Sequence, residues 1–116
     1  MDEKLIEVLS TLGNPVYKQG SLTDKTTYPK EFFTFWCFSA DTKSYSNGET
    51  FGVWSYWIYF YSNDPETIHL KMAQAKKQLQ QNQFIVNGMP IDAASDVETH
   101  TGKMFETYYI QTLQEG

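Results

Sequence analysis

The sequence predicts an α+β domain of two layers, a mainly antiparallel sheet with a long β-hairpin and two helices packed on one face. Three observations lead there. Two aromatic-rich segments of strand composition, "EFFTFWCFSA" and "FGVWSYWIYFYS", flank the turn-forming stretch "DTKSYSNGET". Two other segments, 3–12 and 65–81, carry apolar residues at helical spacing. A closing segment, "KMFETYYIQTL", alternates Met104, Tyr108 and Ile110 on one parity with Phe105, Thr107 and Tyr109 on the other. The 116 residues fit a single domain over 1–116, long enough for one core without staples.

In chain order, Leu5, Val8, Leu9 and Leu12 form a stripe over 3–12, which Gly13, Asn14 and Pro15 end. Residues 14–31 read as a connection, with a brief extended piece at Val16–Tyr17. A first strand over 31–39 and a second over "FGVWSYWIYFYS" make the hairpin, and its loop from Asp41 to Thr50 should project as an arm. "NDPET" then starts a helix: Asp64 caps, Pro65 suits the first helical position, and Glu66 favours the positive end of the dipole. At 100° per residue Ile68, Met72, Ala75 and Leu79 fall within about 60° of one another, so this face should pack on the sheet and the helix should end near Asn82. "FIV" with Asn87-Gly88 follows, and Pro90 confines the next piece to an edge or irregular strand. "THTG" marks a turn before the last strand.

In the second strand, Tyr56, Ile58 and Phe60 form the core parity, and Trp57, Tyr59 and Tyr61 point the other way. Two short helices cover one sheet face, so these rings lie on the second. Antiparallel sheets often leave one face wet. Large aromatics there also suit a subunit contact, which makes Trp57, Tyr59 and Tyr61 interface candidates. The loop "DTKSYSNGET" has no aliphatic residue to form a core of its own, yet it sits at the tip of a rigid hairpin. Tyr45 is its aromatic anchor, with Lys43 and Glu49 as rim charges.

The formal charge is −5, and all nine basic residues are lysines. Bidentate contacts to phosphate and guanine use arginine, and an acidic domain repels a phosphate backbone, so sequence-specific nucleic-acid recognition is not expected. No stretch is long and apolar enough to span a bilayer, and "MDEKLIEVLSTL" does not read as a signal peptide. The one cysteine, Cys37, rules out an internal disulfide and reads as a buried small hydrophobe. His69 and His100 belong to no spaced metal pair, and Asp92, Asp96 and Glu98 read as a solvated acidic loop. With no phosphate loop and no catalytic constellation, neither an enzyme, a cofactor nor a metal is expected.

The ordered features resemble the tail-terminator and tail-completion proteins of long-tailed bacteriophages, the family that includes tail-to-head joining proteins. The likeness is carried by the amphipathic helix at 3–12 and its Pro-containing connection, by "YPKEFFTFW" entering the hairpin, by "WSYWIYFYSNDPETI" running from strand into capped helix, and by "DVETHTGKMFETYYIQ" closing the chain. It covers most of the sequence. The resemblance implies a virion or prophage structural protein that assembles as a homo-oligomeric ring at the head-proximal end of the tail tube. Such a ring ends tube growth and joins tail to head, with tail-tube and head-completion proteins as partners. It implies assembly in the bacterial cytoplasm and a place in the virion tail, and it turns the hairpin loops toward the bore or the neighbouring ring. Another tail or baseplate component, or a small-ligand-binding α+β domain, is the alternative.

Overall fold

A computed structural model describes residues 2–18, 30–44, 50–93 and 100–113. It has the expected α+β architecture. The elements run α1 (Asp2–Ser10), β1 (Val16–Lys18), β2 (Glu31–Ser44), β3 (Thr50–Ser62), α2 (Pro65–Gln81), β4 (Ile85–Ala93) and β5 (Thr101–Leu113). The five strands form one sheet in the order β1-β2-β3-β5-β4. Only the short β1 runs parallel to its neighbour; every other pair is antiparallel.

One face holds the core. Phe33 and Phe35 of β2, Tyr56, Ile58 and Phe60 of β3, and Phe105 of β5 lie in register under the two helices. Leu5, Val8 and Leu9 reach them from α1, and Ile68, Met72, Ala75 and Leu79 from α2, the stripes read from the sequence. Polar ties fix α1 to the interior strands β3 and β5: the Tyr56 hydroxyl donates to Asp2 at 2.9 Å, and the Lys4 ammonium donates to the Tyr109 hydroxyl at 2.9 Å. Burial first, then the Asp2 bond, raises the Tyr56 pKa, so the phenol stays protonated and remains the donor.

Helix α2 is bounded by local chemistry at both ends. Asp64 accepts from the Glu66 amide at 3.1 Å and from the Thr67 hydroxyl at 3.1 Å, and Pro65 opens the first turn. At the other end the Phe84 amide bonds Leu79 O at 2.9 Å and the Gln83 amide bonds Gln80 O at 3.2 Å. This is a Schellman closure, with Gln83 rather than glycine holding the left-handed position at φ 72°.

The hairpin departs from the expectation in one respect. Asp41–Ser44 and Thr50 belong to the ladder, with Asp41 opposite Val53 and Lys43 opposite Phe51. These polar residues follow their partner strand. β3 is also paired along its whole length with β5, from Thr50↔Leu113 to Ser62↔Thr101, so the backbone of β2 finds a fixed template. Tyr45 and Glu49 lie outside the described residues, as do Asp96 and Glu98. β4 is an edge strand with a register shift between Asn87 and Ile91, where Gly88 takes φ 73° and Pro90 offers no amide, as the sequence suggested.

Strand and helix lengths do not match. The fourteen residues of β2 span about 46 Å, whereas the seventeen of α2 span about 26 Å. The ends of β2, β3 and β5 therefore run on past the helix layer as a three-stranded arm, and the molecule measures 53 × 26 × 22 Å.

Candidate functional site

Among the described residues, the second sheet face carries no helix. Its residues follow from parity and register: Phe32, Thr34 and Trp36 of β2, Trp57, Tyr59 and Tyr61 of β3, Met104, Glu106 and Tyr108 of β5, and Ile85 and Ile91 of β4. Seven large apolar side chains stand exposed among the described residues. Six of them, Trp36, Phe38, Ile85, Met89, Ile91 and Ile110, lie on this face or at its rim, and the seventh, Leu70, is on the outer side of α2. Scattered exposed hydrophobics need no explanation, but here six of the seven gather on or beside one face.

The face has two regions. Toward β1 the rings pack on each other: Phe32 sits edge-on to Tyr17 at 6.2 Å and tilts against Tyr61 at 5.3 Å and His100 at 6.0 Å. Phe32 and Thr34 are buried here although no described helix covers them. Tyr61 lies across the neighbouring strand over Gly102, where a Cβ would come within 2.6 Å of its ring. Tyr61 and Tyr59 stack in parallel at 6.1 Å, and partial burial raises the pKa of Tyr59.

The other region is open. Trp36 is registered opposite Trp57, and Phe38, at the bulge between Cys37 and Ser39, stacks on Trp57 at 4.8 Å. Trp36 keeps 43% of its surface exposed. Across the sheet Asn87, Met89, Ile91, Met104, Phe105 and Glu106 surround a pit of ≈ 200 Å³. Between the two patches stands Glu106. Tyr108 donates to its carboxylate at 2.8 Å, and Asn87 and Trp57 add weaker donors; the Tyr108 bond most of all holds the carboxyl below its ordinary range, while burial opposes the shift. The same bond raises the pKa of Tyr108.

Of the residues singled out from the sequence, the structure brings Trp57, Tyr59 and Tyr61 together on this face. It makes Tyr61 partly a packing element. Lys43 falls in the arm, on β2. Sequence reasoning missed Trp36, Phe38, Met89 and Ile91. The parity of "EFFTFWCF" carried a signal for Trp36, since it alternates with Phe33 and Phe35 of the core. Cys37, expected to be enclosed, is half-buried at the bulge, its Sγ 3.4 Å from Ser39 O. The protruding strand register there lifts it to the margin of the core.

A separate groove of ≈ 520 Å³ on the helix side is lined by His69, His100, Asp92 and Lys103 among others. Asp92 is already paired with Lys103 at 3.1 Å. Among the described residues no three His, Cys, Asp or Glu side chains converge as a metal set, and no helix is long and apolar enough to cross a membrane. No protein-family model matches the chain, and no curated protein matches it significantly.

Proposed function

We propose that the chain is a structural subunit of a long-tailed bacteriophage or prophage, assembling as a ring at the head-proximal end of the tail tube to end its growth and join it to the head. One observation carries the assembly part of this reading: among the described residues, six of the seven exposed large apolar side chains gather on or beside the sheet face that no described helix covers. An isolated domain gains nothing from such a face, whereas subunit contacts use it. The tail-specific part rests on the order of elements that resembles the tail-terminator and tail-completion proteins. The net charge of −5 suits a channel that DNA must pass without sticking. The partners in this reading are further copies of the chain, the tail-tube protein and the head-completion protein.

The test is electron microscopy of particles made without this protein. Overlong tail tubes, or tubes of normal length that never join heads, are the expected result, with rescue by the wild-type chain. Infectious particles of normal tail length in its absence would overturn the proposal.

A further inference from the structure

The two open patches of the helix-free face differ in character and lie at its two lateral sides. On β2, Trp36 and Phe38 add to Trp57 to make a flat aromatic platform. β1 pairs only with Phe33 to Phe35, so at Trp36 β2 is the outermost described strand. On β4, Met89 protrudes from the bulge with 81% of its surface exposed, next to Ile91 at 61%. Trp36 and Asn87 end one cross-strand row, Trp36–Trp57–Glu106–Asn87, three strand spacings or about 14 Å apart, and Ile91 ends the adjacent row of the same face, Thr34–Tyr59–Met104–Ile91, with Met89 in the bulge between Asn87 and Ile91.

We propose that the Met89–Ile91 knob of one copy seats on the Trp36–Phe38–Trp57 platform of the next, so that identical chains overlap head to tail. A flexible thioether beside aliphatic carbon is the complement of a π platform, because polarizable sulfur favours aromatic neighbours and adapts its shape. Each chain holds one half of the contact on either side, which is what a heterologous assembly of identical chains requires. Backbone pairing between copies is disfavoured at this edge. The bulge, the positive φ of Gly88 and the missing amide of Pro90 blunt β4 as a template, so side chains must make the contact. Charge points the same way. The ionised group between the patches, Glu106, already takes bonds from Tyr108 and Asn87, which leaves an apolar surface with no call on a charged partner.

This inference deepens the ring reading and rests on it for closure of successive contacts into a ring. Its test is light scattering on size-exclusion fractions of the purified chain. The wild type should associate beyond a dimer. Met89→Lys and Trp36→Lys should each be monomeric while keeping the wild-type circular dichroism. Mixed in equal amounts, they should form a 1:1 complex and nothing larger, because the mixture restores one platform–knob contact and leaves Lys facing Lys at the other ends. Should Trp36→Lys fail to fold, Phe38→Lys at the exposed bulge takes its place. A wild type that is monomeric at millimolar concentration or stops at a dimer, a Met89→Lys variant that associates as the wild type does, or a mixture that stays monomeric would each overturn the inference. Association that needs Met89 in a protein whose loss leaves tails normal would sink the tail reading and keep the contact. Abnormal tails with an oligomer indifferent to Met89→Lys would do the reverse.

Discussion

Gly102→Ala tests whether the aromatic end of the open face is built as described. The backbone of Gly102 lies outside the left-handed region, so this glycine supplies space rather than conformational freedom. A Cβ there would stand 2.6 and 2.7 Å from Tyr61 Cδ1 and Cε1, and 3.3 Å from Phe60 O. Carbon pairs settle at about 3.5–4 Å, so the ring must retreat by about 1 Å. It cannot do so freely, since Tyr61 is tilted against Phe32 at 5.3 Å and stacked on Tyr59 at 6.1 Å. Overpacking of this kind costs about 1–3 kcal/mol. Replacing glycine in a strand returns about 0.5–1 kcal/mol of chain entropy. The expected net effect runs from about zero to a loss of about 2.5 kcal/mol. In a Tyr61→Ser background the clash is gone, and the same substitution should stabilise by about 0.5–1 kcal/mol. Urea unfolding of the four proteins closes the cycle, and the coupling should be about 1–3 kcal/mol. An equal effect of Gly102→Ala in both backgrounds would refute the placement of Tyr61 over the neighbouring strand.

Three further outcomes follow from the core, the cap and the carboxylate. Leu79 is fully buried on the core face of α2, so Leu79→Ala should cost about 2–5 kcal/mol in denaturant unfolding; a loss under about 0.5 kcal/mol would mean that the stripe is not the buried face. Gln83 holds φ 72° where glycine is free of strain, so Gln83→Gly should stabilise by about 1 kcal/mol while Gln83→Ala should not; a lower melting temperature for the glycine variant contradicts the closure. Glu106 has its folded-state pKa lowered, chiefly by the Tyr108 bond, so its contribution is in place above the unfolded carboxylate value and is lost as pH falls through the lower folded value. The stability difference between wild type and Glu106→Gln should therefore shrink between about pH 5 and pH 3, and a difference constant across that range would count against the bond.

Much of the fold was legible because local signals agreed with the tertiary outcome. Asp64 and Pro65 started α2 where expected, and its core stripe was the one read from spacing. Its end was less explicit in the sequence, since no glycine marks the left-handed position and Gln83 is held there by the Phe84–Leu79 closure. The extra length of β2 was not legible at all. "DTKS" has turn composition, and it becomes strand only because β3 is templated by β5 more than fifty residues later. At the candidate site, parity assigned Trp57, Tyr59 and Tyr61 to a common face, but parity says nothing about which ring overlies another. That Phe32 is buried there, and that Tyr61 is spent on Gly102, depends on cross-strand neighbours. Asn87-Gly88 and Pro90 announced an irregular edge, yet not that the irregularity would lift Met89 clear of the sheet.

The mismatch between strand and helix lengths bears on how the open face would be used. About 20 Å of three-stranded ribbon extends past α2, by the difference of the two rises. Two strands alone would make a marginal hairpin, and it is the third, β5, paired as far as Leu113, that stiffens the ribbon. Trp36 and Phe38 sit at its root, where β2 leaves the helix-covered part of the sheet, and Ile110 lies farther along on β5. A contact made at that root fixes the direction of a stiff ribbon, whereas the same contact at the root of a floppy loop would fix nothing beyond itself. Under the proposed overlap of Met89 on the platform, each copy would thus orient its neighbour's arm as it docks. The angle at which the arms stand to the ring would be set by the sheet rather than by the residues at its tip.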